Sequence, residues 1–175
     1  ALEFGPGDIL SYSIGSPPDE NGEQQTLPTN PGNWTVLRLA SDLGITNFIS
    51  AGNDCVPVGP EAGSEDRPRC GAIIVGAIGA GQGAVPFPAY DNPFSRMDFS
   101  SFDNEDWNAS VDCCAWGTAV CTTGYGNLFR GANPQIDSVF EVGRLREYTH
   151  TMNGTSSACP MAAGLAACIQ PLAKE

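Results

Sequence analysis

The segment Met152 to Gln170 reads MNGTSSACPMAAGLAACIQ and carries no charged residue. A surface helix shows a polar stripe along one side, and this run shows almost none. It is therefore expected to be a helix buried on all sides, which requires a fold with layers around it. Asn153, Gly154 and small hydroxyl residues mark its start. Pro160 is expected about one turn in, where proline is still tolerated. A hydroxyl at the mouth of such a helix sits at the positive end of the helix dipole, where negative charge is stabilised. Ser156 then has two readings: a helix cap, or a nucleophile.

The remaining segments supply the layers. DILSYSIG, Asp8 to Gly15, alternates as a strand. Ser16 to Gly32 is rich in turn residues and reads as a loop. NWTVLRLASDLG places Val36, Leu37, Leu39, Ala40 and Leu43 at helical spacing, with Gly44 as the stop. ITNFISAGND reads as a short apolar strand that breaks at Gly52, Asn53 and Asp54. GAIIVGAIGAG is a second buried strand, and SVDCCAWG a shorter one. FSRMDFSSFDNEDWN reads as a polar loop, and VFEVGRLREYTHTM as a hairpin arm leading into the terminal helix. Strands this apolar are covered on both faces, so the class is α/β with a mostly parallel sheet. No internal repeat and no interdomain linker is visible.

Net charge narrows the function classes. The 175-residue chain carries a formal charge of −12, which speaks against nucleic-acid binding, since phosphate recognition uses Lys and Arg. Acidic loops are compatible with a structural calcium ion. No run approaches the ~18 consecutive apolar residues of a membrane span. The chain opens on ALEFGPGDIL without Met and shows no signal peptide, so it is expected to be a processed or cut piece. Its seven cysteines fit no zinc spacing and accompany a single His, so a secreted, oxidising setting is expected. Cys55 and Cys70 bracket a polar loop that a disulfide between them would staple. Cys159 and Cys168 fall in the apolar helix and read as inert packing residues. Glycosylation triplets stand at Asn33, Asn108 and Asn153, and such triplets are common by chance.

Three places offer chemistry. The first is Ser156 in NGTSSACPMAAG, where Gly154 permits a sharp turn and Ala158 and Ala162 permit close packing. The second is Ser50 to Asp54, SAGND, where a strand presents Asn53 at its C-terminal end. That is the ligand-binding edge of α/β sheets. Asn53 reads either as turn chemistry or as an oxyanion donor. The third is Ser13-Ile14-Gly15, either a plain strand exit or a strand able to pair with an extended peptide.

Together these motifs resemble the C-terminal half of a subtilisin-like serine protease. NGTSSACPMAAG is similar to the nucleophile motif of that family, SAGND to its oxyanion-asparagine motif, and YSIGSP to its substrate-binding strand. CGAIIVGAIGAG and SRMDFSSFDN also look like family segments, and the order agrees over nearly all of the chain. Ser157, Cys159 and Met161 depart from the usual Met, Ser and His. The resemblance implies a three-layer subtilisin-like fold, with residues 1–175 forming the C-terminal portion of one peptidase catalytic domain. It implies Ser156 as nucleophile and Asn53 as oxyanion donor. It implies that Ser13, Ile14 and Gly15 pair with substrate backbone. Ser50, Ala51 and Gly52 would form one wall of the pocket for the residue before the scissile bond. The small walls permit a large substrate side chain there without requiring one, and Asp54, Glu61, Glu65 and Asp66 would favour basic substrates if they faced the cleft.

A serine nucleophile needs a base and a carboxylate to orient that base. In the family both precede the substrate-binding strand, so they are expected on a missing N-terminal half, supplied as a second chain. That half is also expected to cover the apolar faces this chain would otherwise expose. His150, six residues before Ser156, is expected to be a hairpin residue and not the base. The implied activity is hydrolysis of protein or peptide substrates by a secreted enzyme. No metal or cofactor is needed for the chemistry, and no membrane partner is implied. Two alternatives stay open: a sedolisin-type serine-carboxyl peptidase, against which Asn53 in place of Asp argues, and a protease-like binding or structural chain.

Overall fold

The computed structural model describes residues 4–61, 67–80, 94–104, 110–123 and 148–172. Expectations on Glu65, Asp66, Asn108 and the hairpin arm before Tyr148 lie outside these residues. Strands β1 (Ile9–Tyr12), β2 (Thr46–Ser50), β3 (Ile73–Ile78) and β4 (Cys113–Trp116) form one sheet in that order, and every neighbouring pair is parallel. Helix α1 (Pro31–Asp42) connects β1 to β2. Strands β5 (Val120–Thr123) and β6 (Tyr148–Met152) pair antiparallel and lead into helix α2 (Thr155–Ile169). The sequence pattern does not announce β5, whose polar VCTT carries no alternation to reveal it.

The two sides of the sheet carry separate cores. Phe48, Val75 and Ala77 pack against Ala158, Cys159 and Ala163 of α2. Ile49, the neighbour of Phe48, points the other way and packs with Leu37 of α1, Leu27, Cys70 and Ala72. Ala51, Val58 and Ile74 extend that second side. Period-two alternation thus sends each strand into both layers, giving the three-layer α/β arrangement with a parallel sheet.

Local chemistry sets the helix ends. The Asn30 side chain accepts hydrogen bonds from the amides of Gly32 and Asn33, and Pro31 opens α1 with a preset φ. The helix therefore begins two residues before the expected Asn33. At its end the Ile45 amide donates to the Ala40 carbonyl and the Gly44 amide to that of Ser41. Gly44 has φ +80°, so this is a Schellman stop, at the glycine the sequence indicated.

Of the α1 apolar set only Leu37 is fully buried; Val36, Leu39 and Leu43 form an outward stripe at 64%, 60% and 56% exposure. Two expectations are corrected. Helix α2 is not buried on all sides. Its inner face is closed, but Leu165 and Ile169 are 63% and 54% exposed, and Cys168 is exposed too. The sheet covers one side of α2, and nothing among the described residues covers the other. Finally, Cys55 and Cys70 are free thiols, as are the other five cysteines.

An ion cluster ties Glu61 to Arg69 within the segment that the disulfide was expected to staple. Arg69 donates to both oxygens of Asp112 at 2.6 Å and reaches Glu61 at 3.4 Å. Asp112 also accepts from the Ile74 amide at 2.7 Å, and Glu61 from the Cys70 amide. The bond to Asp112 raises the Arg69 pKa further, and burial pushes the Cys70 thiol up to about 12. Arg69→Ala would strand Glu61, which is only 7% exposed. Removing one partner of a buried pair costs ~3–5 kcal/mol, and the partial exposure of Arg69 lowers the expectation to about 2–3 kcal/mol. Denaturant unfolding would measure it, and a change below about 1 kcal/mol would show the cluster to be dispensable.

Candidate active site

The C-terminal ends of β1 and β2 meet the N-terminus of α2. Gly154 is the N-cap of α2, with φ +110° and no side-chain cap bond. Its amide donates to Gly117 at 2.8 Å, which ties the helix start to the turn before β5. A side chain at Gly154 would be strained by that φ, and its Cβ would approach Asn53 Nδ2 to 3.2 Å. Ser156 is the second residue of the helix, so it is not the cap. It is half-buried, and its hydroxyl has no hydrogen-bond partner among the described residues.

Asn53 is held at one end only. Its Oδ1 accepts from the Thr155 amide at 2.8 Å and from Thr155 Oγ1 at 2.9 Å. Thr155 Oγ1 also accepts from the Gly52 amide at 3.2 Å. The carbonyl end of Asn53 is thereby fixed, and its Nδ2 remains a donor without a partner among the described residues. The sequence pattern gave Thr155 no role. Its place beside the candidate nucleophile was visible, but its bond partner lies 102 positions away.

Pro160 is the sixth residue of α2, a little over one turn in. Having no N–H, it leaves the carbonyl of Ser156, four residues back, without its helical donor. The Ser13 hydroxyl donates to that carbonyl at 2.9 Å. Ser13 thus joins the strand exit to the backbone of Ser156. Ser13→Ala should lower stability by about 1 kcal/mol, the net value of one hydrogen bond, and restoring the hydroxyl as Thr should recover it. Thermal unfolding of the three forms would decide this; equal midpoints would show that the bond contributes nothing.

The remaining expected residues gather nearby. Ser50 and Ala51 are buried at the end of β2, with Gly52 half-buried beyond them. Ile14 is 60% exposed, and Gly15 lies beside Gln24 and Gln25. Cys159 is buried one turn below Ser156. Burial raises its thiol pKa, consistent with packing and not reactivity. His150 lies on β6, within the hairpin. Among the described residues no group of three or more His, Cys, Asp or Glu could hold a metal ion, so no calcium is assigned.

The fold thus brings a serine at the mouth of α2 beside an anchored asparagine, at the C-terminal edge of a parallel sheet. The subtilase family model matches residues 5–175, and the chain belongs to the subtilase family. Among solved structures it is similar to sphericase, at 21% identity, TM-score 0.53, covering 92% of this chain and 42% of that one. It is also similar to a psychrophilic protease, at 23% identity and TM-score 0.50, with coverage of 92% and 42%. These likenesses show the fold. The chain spans 42% of the length of either structure. No curated protein matches it in sequence.

Proposed function

We propose that this chain is the nucleophile-bearing part of a serine endopeptidase. The anchoring of Asn53 by Thr155 supports this most directly, because it leaves an amide donor without a partner among the described residues beside the mouth of α2. Ser156 Oγ attacks the scissile carbonyl. A His from a further segment takes its proton and passes it to the leaving amine, with an Asp orienting the ring. Asn53 Nδ2 and the Ser156 amide hold the oxyanion, aided by the helix dipole. Water then hydrolyses the acyl-enzyme. Ser13, Ile14 and Gly15 pair with substrate backbone, and Ser50, Ala51 and Gly52 wall the adjoining pocket. No cofactor enters the reaction.

The segment carrying Asp and His belongs on the open apolar side. A groove of about 430 Å³ lies between α2 and the strands, bordered by Phe48, Phe94, Trp116, Met161, Leu165 and Ile169. Further along the sheet, β1 forms one edge of it among the described residues. Soluble proteins rarely leave such a face bare. The coverage of 42% of related structures agrees with more chain being needed. Subtilases are commonly secreted, and no described helix is long and apolar enough to cross a membrane, so we place the enzyme outside the cell.

A fluorophosphonate probe reacts only with an activated serine. Applied to this chain assembled with the segment supplying Asp and His, it is expected to label Ser156 by peptide mass mapping. Folded material that takes no label would sink the peptidase reading.

A further inference from the structure

The small walls of the pocket leave room for a large substrate side chain, but the loop after Gly15 returns close to both Gly15 and Gly52. Ser16 donates its amide to the Gln25 carbonyl at 2.9 Å, and Pro18 bridges antiparallel to Gln24. Asp19 braces the turn: its carboxylate accepts from the amides of Asn21 and Glu23 at 2.9 and 3.0 Å, and from Gln25 Nε2 at 3.2 Å. This bracing sets Gln24 between Gly15 of the substrate-pairing strand and Gly52 of the pocket wall. A Cβ built on Gly15 would lie 2.8 and 2.9 Å from Gln24 Cγ and Cδ. A Cβ built on Gly52 would lie 3.7 Å from the Gln24 carbonyl oxygen and 3.1 Å from Ser101 Oγ. The Gln24 amide donates to Asp54 Oδ2 at 2.6 Å, just beyond the second wall. One residue therefore lies beside both glycines, with its side chain at Gly15 and its backbone carbonyl at Gly52.

We propose that Gln24 is a specificity-determining residue that shortens the pocket for the residue before the scissile bond. The enzyme then favours Gly, Ala or Ser there over aromatic side chains. This rests on the peptidase reading of the same site. Van der Waals overlap makes the selection: an aromatic ring entering between Gly15 and Gly52 meets Gln24. The small Ala51 and Gly52 suggested an open pocket, but Gln24 from the loop before α1 lies beside it, its side chain at Gly15 and its carbonyl at Gly52.

The test compares kcat/KM for two peptides that differ only in Phe or Ala before the scissile bond, using this chain assembled with its Asp- and His-bearing segment. Gln24→Gly is expected to raise the Phe-to-Ala ratio about tenfold or more, the scale on which pocket size discriminates. Gln24→Trp is expected to lower it. Gln24 is exposed, so both variants should fold. A purely structural role would change both peptides equally and leave the ratio alone. Turnover with a ratio unchanged within about twofold in both variants overturns the proposal alone. An assembled parent that cleaves neither peptide overturns the peptidase reading, and the proposal with it.

Discussion

Ser156→Ala in the assembled enzyme is expected to abolish the fluorophosphonate label and to lower kcat by about 10⁶, the scale known for loss of the nucleophile in subtilisin, a member of the same family. The structure supplies the reason why no neighbour can stand in. Thr155 Oγ1 is committed to Asn53, Ser157 Oγ donates to the Gly154 carbonyl at 2.8 Å, and Ser13 Oγ donates to Ser156 O. Of the four hydroxyls around the helix mouth, only that of Ser156 is without a partner among the described residues. Steady-state kinetics with a trapped-label control would check the result. A variant within tenfold of the parent would mean that another group is the nucleophile.

Asn53→Ala should lower kcat about 10²–10³-fold with little change in KM. That range again belongs to subtilisin, for the loss of one oxyanion donor. The split between kcat and KM matters, because a donor aimed at the oxyanion acts in the transition state and not on bound substrate. Thr155→Val should have a smaller effect in the same direction. It removes one of the two bonds on Asn53 Oδ1 and leaves the amide bond at 2.8 Å in place. If Asn53→Ala instead raised KM at constant kcat, Asn53 would be a ground-state binding residue and the oxyanion assignment would fail.

Much of this was legible from the chain. The apolar runs in ITNFIS and GAIIVGAI located β2 and β3, because a strand buried on both faces has few other compositions. Gly44 marked the end of α1, because a left-handed residue is needed there. The motifs around Ser156 and Asn53 pointed to the family. The misreadings have a common cause. An apolar helix looks buried whether its cover belongs to the same chain or not, so α2 was read as enclosed while Leu165 and Ile169 stand exposed. Two cysteines flanking a loop look like a staple, but both are free thiols, and Arg69 pairs with Glu61 within that segment instead.

By itself the sequence determined the α/β class, the two motifs and the positions of Ser156 and Asn53, because these depend on local pattern. Only the tertiary structure decided how they are held. Thr155 orients Asn53 across 102 positions, Ser13 supplies the donor that Pro160 lacks across 143, and Gln24 lies beside Gly52, just beyond β2. Each is a contact between segments far apart in sequence. Hydrogen bonds and overlaps depend on distances of a few tenths of an ångström, and periodicity in a chain carries no information at that scale.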